Sequence, residues 1–154
     1  MLNKNVETRK HHRWNGQVGL YAKTFIPKGT IIGIFYDETV ASLTDKEFEL
    51  LDKKTKEYVL KYGSYYNEKW WINLDAAGLI NHSCDNNVSY LDDFIDIAIK
   101  DIQKDEELTY DYGDIFHPTL QVLMCRCGSK KCRKIIRAHT QSQTDTKLLN
   151  NLID

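Results

Sequence analysis

The sequence predicts a mainly β domain with one substantial helix. Short strand-like runs recur between Gln17 and Tyr112, only the stretch 44–62 carries apolar residues at helical spacing, and turn residues separate the runs. The 154 residues, 42% hydrophobic and 28% charged with Gly 8 and Pro 2, have a globular composition that excludes collagen-like, low-complexity and largely disordered chains. A chain of this size buries roughly 70% of its unfolded surface, so it needs no disulfide staples. Its longest apolar runs, Ile31 to Tyr36 and Ala76 to Ile80, fall far short of the ~20 residues of a membrane span. Met1 to Trp14 is polar and lacks the apolar centre of a signal peptide, so a soluble, intracellular protein is expected.

The elements follow in order. Residues 17–22 and 30–36 read as strands joined through Pro27-Lys28-Gly29. Thr44 and Glu47 form a capping box, and Phe48, Leu51, Tyr58, Val59 and Tyr62 recur as the core face of a helix over 44–62. Trp70 to Leu74, Val88 to Leu91 and Phe94 to Ile99 are strand-like, with Ile95, Ile97 and Ile99 on one face. Lys100 to Glu106 is a polar turn, and Leu108 to Tyr112 a short strand or loop. The tail from Thr140 is polar until Leu148, Leu149 and Leu152, which form a short capping helix or fray. No internal repeat or linker interrupts the chain.

The net charge of −1 gives no global pull toward nucleic acid or anionic membrane. Ten carboxylates nevertheless stand between Cys84 and Asp114 against two lysines, and six Lys/Arg with no acid stand between Arg126 and His139. The acidic stretch is either a solvated surface or a groove attracting a basic peptide. The basic stretch lacks the interleaved aromatics of a nucleic-acid site.

Cys125, Cys127 and Cys132 form C-x-C-x4-C, and Cys84 stands 41 residues earlier. Disulfides are unexpected without a secretion signal, and a 125–127 bridge is strained. One tetrahedral Zn²⁺ suits the spacing, with a turn through Gly128 aiming three thiolates at one point. Three ligands leave one place, for Cys84 or, failing that, a histidine such as His139.

Three further segments carry chemistry: "GLINHSCDNN", "EELTYDYGD" and "CRCGSKKCRK", preceded by "GLYAKTFIPKGTIIGIFYDE". Asn81 and His82 supply directional hydrogen bonds for a polar ligand edge, and Tyr110 and Tyr112 lie on one side of an extended segment. Each alone is weak. In this order, over roughly residues 16–134, they resemble the SET-domain lysine methyltransferases, in a compact form with SET and post-SET segments and no pre-SET cysteine array.

The resemblance implies a fold of small twisted sheets with a pseudoknot between the NHSC and tyrosine segments, one inserted helix and a post-SET zinc segment. The expected division is a leader over 1–15, a SET domain over 16–116 with an insert at about 40–72, a post-SET segment over 117–140 and a tail over 141–154. It further implies S-adenosylmethionine binding by Gly19, Leu20, Asn81, His82 and Tyr112. Tyr112 takes the catalytic position, Tyr110 the phenylalanine/tyrosine switch, and Tyr36 and Tyr90 line the lysine channel beside it. Cys84 completes the zinc site with Cys125, Cys127 and Cys132. Two positions depart from the family: Gly16 is displaced by one from the usual Gly-x-Gly, and Gly78-Leu79 stand where an Arg-Phe pair is usual.

The expected activity is S-adenosylmethionine-dependent methylation of lysine in a protein such as a histone-like basic tail, favouring low methylation states, with a nuclear location if the substrate is a histone. The alternatives are a non-catalytic SET-like module that binds a basic peptide and a zinc-dependent interaction domain.

Overall fold

The computed structural model of the protein describes residues 1–11, 17–34, 40–74, 76–92 and 95–139. The strands are β1 (Val6–Lys10), β2 (Val18–Ala22), β3 (Ile31–Ile34), β4 (Val40–Thr44), β5 (Ser64–Tyr66), β6 (Lys69–Asn73), β7 (Asn81–His82), β8 (Val88–Asp92), β9 (Ile95–Ala98), β10 (Glu107–Tyr110), β11 (Leu123–Met124) and β12 (Ile135–Ile136). The helices are α1 (Asp45–Glu49) and α2 (Lys53–Tyr62), and 3-10 turns span Ala76–Leu79 and Tyr112–Asp114.

These strands build small sheets ordered β1-β2-β10-β7, β3-β9-β8 and β4-β6-β5, with β11 and β12 as a separate ladder. One core, built on Leu20, Ile26, Ile32, Ile80, Val88, Ile102 and Leu108, lies under the first two sheets. A second, of Phe48, Val59, Trp70 and Ile72, belongs to the segment from β4 to β6. Residues 115–121 pack against this second core. The Tyr65 N–H donates to the Ile115 carbonyl at 2.6 Å, and the buried Gln121 amide donates to the Leu60 and Gly63 carbonyls at 3.0 Å each. His117 stacks on Trp70, with ring centroids 5.1 Å apart.

The expected helix over 44–62 divides in two. Its capping box is present, the Thr44 N–H donating to Glu47 Oε2 at 2.7 Å and the Glu47 N–H to Thr44 Oγ1 at 3.3 Å. After Leu50, however, the Asp52 carboxylate accepts from the Lys54 and Thr55 N–H groups at 2.9 and 3.1 Å and starts a new helix. A capping aspartate offers the backbone an alternative to continuing the previous turn. Tyr58 and Tyr62, expected in the core, are 51% and 54% exposed with their rings 4.8 Å apart, because the break turns α2 so that Val59 faces inward.

Residues 6–10, set aside as leader, form an edge strand paired with β2 from Val6↔Ala22 to Lys10↔Val18. An edge strand with one wet face needs little apolar patterning, and only Val6 is buried. In β9 the buried face is Asp96 and Ala98, while the isoleucines are half-buried. Residue 36 and the tail over 140–154 lie outside the described residues.

The site depends on one pairing. β7 runs parallel to β10, with Thr109 opposite Asn81 and Tyr110 opposite His82. Parallel neighbours need a crossover, and residues 83–106 supply it. Asn87 fastens its return: its side-chain oxygen accepts from the Thr109 N–H at 2.9 Å and its amide donates to the Glu107 carbonyl at 2.9 Å. This brings together the NHSC and tyrosine segments, as the pseudoknot requires.

Candidate active site and cysteine centre

Gly19 and Leu20 lie on β2, beside β10. A Cβ on Gly19 would stand 2.5 Å from Glu107 Oε1 and 2.9 Å from Asn81 Nδ2, so only glycine fits without displacing them. Asn81 Nδ2 donates to Glu107 Oε1 at 2.8 Å and to the Val18 carbonyl at 3.2 Å, tying β7 to β2 across β10. The Leu20 side chain is wholly buried core, which leaves only its backbone for a ligand.

Beyond β10 the chain turns sharply. Asp111 Oδ1 accepts from the Gly113 N–H at 3.0 Å and caps the turn that carries Tyr112. The Tyr112 N–H donates to His82 Nδ1 at 3.1 Å, and its hydroxyl donates to the Ile80 carbonyl at 2.9 Å. Burial, seconded by the charge of Glu107, pushes the Tyr112 phenol up to about 12, so it remains neutral across the physiological range. Tyr110 donates its hydroxyl to Asp96 Oδ1, and Tyr90 stands opposite Asp96 in the β8–β9 ladder. The structure thus brings Asn81, His82, Tyr110 and Tyr112 together, with Tyr90 joined to them through Asp96. Tyr36 lies outside the described residues.

The four cysteines also converge. Cys84 Sγ and Cys125 Sγ are 3.8 Å apart, matching the roughly 3.8 Å between two sulfurs tetrahedrally bound at about 2.3 Å to one Zn²⁺. Burial raises the Cys125 thiol. At Cys127 burial acts the same way but is outweighed by N–H groups of Cys84 and Ser129, which draw the thiol down to about 7. Such a cluster suits a soft divalent cation.

The donors mutually within 4.8 Å are His82, Cys84, Cys125 and Cys127. Cys132 lies alongside, its thiol 3.7 Å from the Cys125 carbonyl and interacting with the Cys125 and Cys127 thiols. His82 Nε2 is 3.3 Å from Cys84 Sγ. Because His82 Nδ1 accepts from Tyr112, the hydrogen-bond network assigns the ring proton to Nε2, which then donates to the sulfur and has no lone pair for a metal. Of the two, Cys132 has the chemistry of the fourth ligand.

His139, the fallback ligand, is committed elsewhere. Its Nδ1 pairs with Asp114 Oδ1 at 2.8 Å, its Nε2 contacts Arg133, and its N–H donates to the Gly113 carbonyl at 2.7 Å.

Two functional partners escaped the sequence reading. Buried Asp111 receives Arg133 from the cysteine segment, and Asp85 accepts from Lys100 and, at 3.0 Å, from Lys131. The acidic stretch is therefore not a free patch. Asp101 accepts from the Lys28 N–H, Asp105 pairs with Arg9, Glu106 with Asn87 and Glu107 with His11, so these four, like Asp85, Asp96, Asp111 and Asp114, have partners within the chain. The opposed acidic and basic blocks were the available signal: the basic 126–139 segment closes onto the acidic one.

Comparisons with known proteins agree with this layout. The SET domain family model matches residues 17–113. The chain is 30% identical over 127 residues to human histone-lysine N-methyltransferase 2B, covering 77% of this chain and 5% of that protein. It is 33% identical over 127 residues to histone-lysine N-methyltransferase trithorax of Drosophila virilis, covering 77% and 3%. It therefore spans only a small part of these relatives. Among solved structures, a Plasmodium falciparum protein described as a histone methyltransferase superposes with a TM-score of 0.51 at 22% identity, over 72% of this chain and 95% of that one, which shows the shared fold. With the matching segment holding the β7–β10 pairing and both site tyrosines, the chain belongs to the SET-domain family.

Proposed function

We propose that the chain is a protein-lysine methyltransferase that uses S-adenosylmethionine and acts on a histone-like basic tail, favouring low methylation states. The observation that carries this reading is the β7–β10 pairing, which sets Asn81 and His82 beside a half-buried, neutral Tyr112 whose hydroxyl is anchored on Ile80. Relatives named histone-lysine N-methyltransferases support the substrate class.

The residues present fit the cosubstrate. Gly19 lets the Asn81 and Glu107 side chains close against the β2 backbone, and with His82 they offer polar groups beside it. Bound S-adenosylmethionine would supply an electrophilic methyl on a sulfonium. The target lysine must arrive neutral, and an aromatic channel lowers its pKa from about 10.4 by desolvation. Tyr112, at about 12, is not a base; its oxygen orients the amine while water is excluded. Cys84, Cys125, Cys127 and Cys132 would hold one Zn²⁺, which supplies structural closure of the C-terminal segment and no chemistry. The decisive experiment is incubation with labelled S-adenosylmethionine and core histones. Label on a histone lysine is the expected result; peptide binding without transfer would leave the non-catalytic module.

A further inference from the structure

Asp96 is the one acidic residue of β9, and it lies on the buried face at 4% exposed, between Ile95 and Ile97. A carboxylate is costly to bury in a sheet and persists where its hydrogen bonds do something an apolar side chain could not. Its Cα partner on the next strand is Tyr90, whose hydroxyl is also buried, and Tyr110 from β10 donates its hydroxyl proton to Asp96 Oδ1. Two channel positions implied by the family resemblance thus converge on one acid.

We propose that Asp96 is a positioning residue that fixes the hydrogen-bond polarity of Tyr110 and so opposes the third methyl transfer, holding the product at mono- and dimethyl-lysine. The inference rests on the methyltransferase reading above. A phenol has one proton to donate and lone pairs to accept with. With that proton held by Asp96, the Tyr110 oxygen faces the channel as an acceptor only, and the carboxylate makes it a better one. A neutral amine must aim its single lone pair at the sulfonium methyl. A hydroxyl free to donate would cap that lone pair, whereas an acceptor takes one of the two remaining N–H groups. The first methyl leaves one N–H in the reactive orientation, and the second leaves none. An acceptor-only Tyr110 therefore admits the first two transfers and opposes the third.

The test compares the unmodified chain with Asp96→Leu, Asp96→Asn, Tyr110→Phe and the double variant Asp96→Leu/Tyr110→Phe on core histones, reading mono-, di- and trimethyl-lysine by mass spectrometry. Asp96→Leu should raise the trimethyl-to-dimethyl ratio by on the order of tenfold, the scale of one hydrogen bond to a charged group. The double variant should match Tyr110→Phe alone, since the effect passes through that hydroxyl. Asp96→Asn, nearly isosteric and the safer fold, should shift the ratio the same way by less. Calorimetry with S-adenosylhomocysteine and peptides bearing the target lysine, unmodified or dimethylated, gives a readout without turnover. The unmodified chain should prefer the unmodified peptide, and both Asp96 variants should lose that preference. Folded Asp96 variants with an unchanged ratio and preference overturn the proposal while leaving the enzyme reading intact. An unmodified chain that transfers no methyl overturns the enzyme reading and this role with it.

Discussion

The Tyr112 backbone N–H and the His82 imidazole are joined at 3.1 Å through Nδ1, and this bond couples the tyrosine turn to the cysteine centre. By accepting there, the ring carries its proton on Nε2 and presents it to Cys84 Sγ at 3.3 Å. One histidine thus links the proposed methyl-transfer site to the proposed metal site without ligating the metal, as an outer partner that orients a ligand sulfur.

That role separates two variants. Cys132→Ser should lose most of the bound zinc, whereas His82→Asn should retain it while weakening the hold on Tyr112. Metal content of freshly purified, reduced protein, measured by elemental analysis, checks both. Zinc retained in Cys132→Ser and lost in His82→Asn would reverse the ligand assignment.

Tyr112→Phe removes a half-buried donor and leaves the carbonyl of buried Ile80 unpaired, at a cost of about 1–3 kcal/mol in stability. It should slow methyl transfer on the order of 10² with cosubstrate binding nearly kept. The pH profile follows from the raised phenol. With Tyr112 protonated up to about 12, the unmodified protein's transfer rate should climb with pH as lysine deprotonates, with no decline from Tyr112 ionising below that value. Single-turnover rates from neutral pH upward test this. A fall near pH 10 would mean the phenol is not shielded.

The sequence made the site more legible than the fold around it. Asn81, His82, Tyr110 and Tyr112 stand in short contiguous motifs whose chemistry shows in the residue types, and β10 and β7 bring them together. Asp96 was hidden because alternation placed Ile95 and Ile97 on one face without saying which face of β9 is buried, and it is the face of Asp96 that is. The break at Asp52 was missed because helical periodicity continued across it while the cap acted locally. β1 carried too little apolar signal, since pairing with β2 rather than burial of its own side chains holds it.

Gly19→Ala should be a cofactor-site lesion before it is a folding one. The added Cβ falls 2.5 Å from Glu107 Oε1 and 2.9 Å from Asn81 Nδ2, so the Asn81–Glu107 bond must shift. S-adenosylmethionine affinity should fall by on the order of tenfold or more, the scale of one such bond. Calorimetry reads it, and unchanged affinity would remove Gly19 and Asn81 from the binding site.

His117 makes the contact between the insert and residues 115–121 sensitive to pH. Burial lowers its pKa, partly opposed by Asp45, so the unfolded chain binds its proton more readily than the folded one. Stability from this group is full above the ordinary value of about 6.5 and declines as pH falls toward the lower folded value. Acidification from pH 7 to 5 should therefore lower the melting temperature more in the unmodified protein than in His117→Phe, which keeps a ring against Trp70 without the proton.

The final prediction concerns closure of the C-terminal segment, for which Gly113 is the narrowest point. A Cβ there would meet His139 Nε2 at 2.7 Å, His139 Cδ2 at 2.9 Å and the Arg137 carbonyl at 3.0 Å. Ring and backbone crowd it together, so no flexible side-chain tip can give way. The His139 N–H bond to the Gly113 carbonyl and the Arg133–Asp111 pair would both be strained, while the core around Leu20 and Leu108 lies elsewhere. Gly113→Ala should therefore loosen the segment beyond Gln121, which the insert does not hold, without unfolding the domain. Limited trypsin digestion should cut first at Arg133, Lys134 or Arg137, with thermal unfolding of the remainder shifted only slightly. Because Cys125, Cys127 and Cys132 belong to the loosened segment, zinc should also leave faster. Equal protease resistance and zinc retention in the variant would show that the segment is held by the cysteine centre alone.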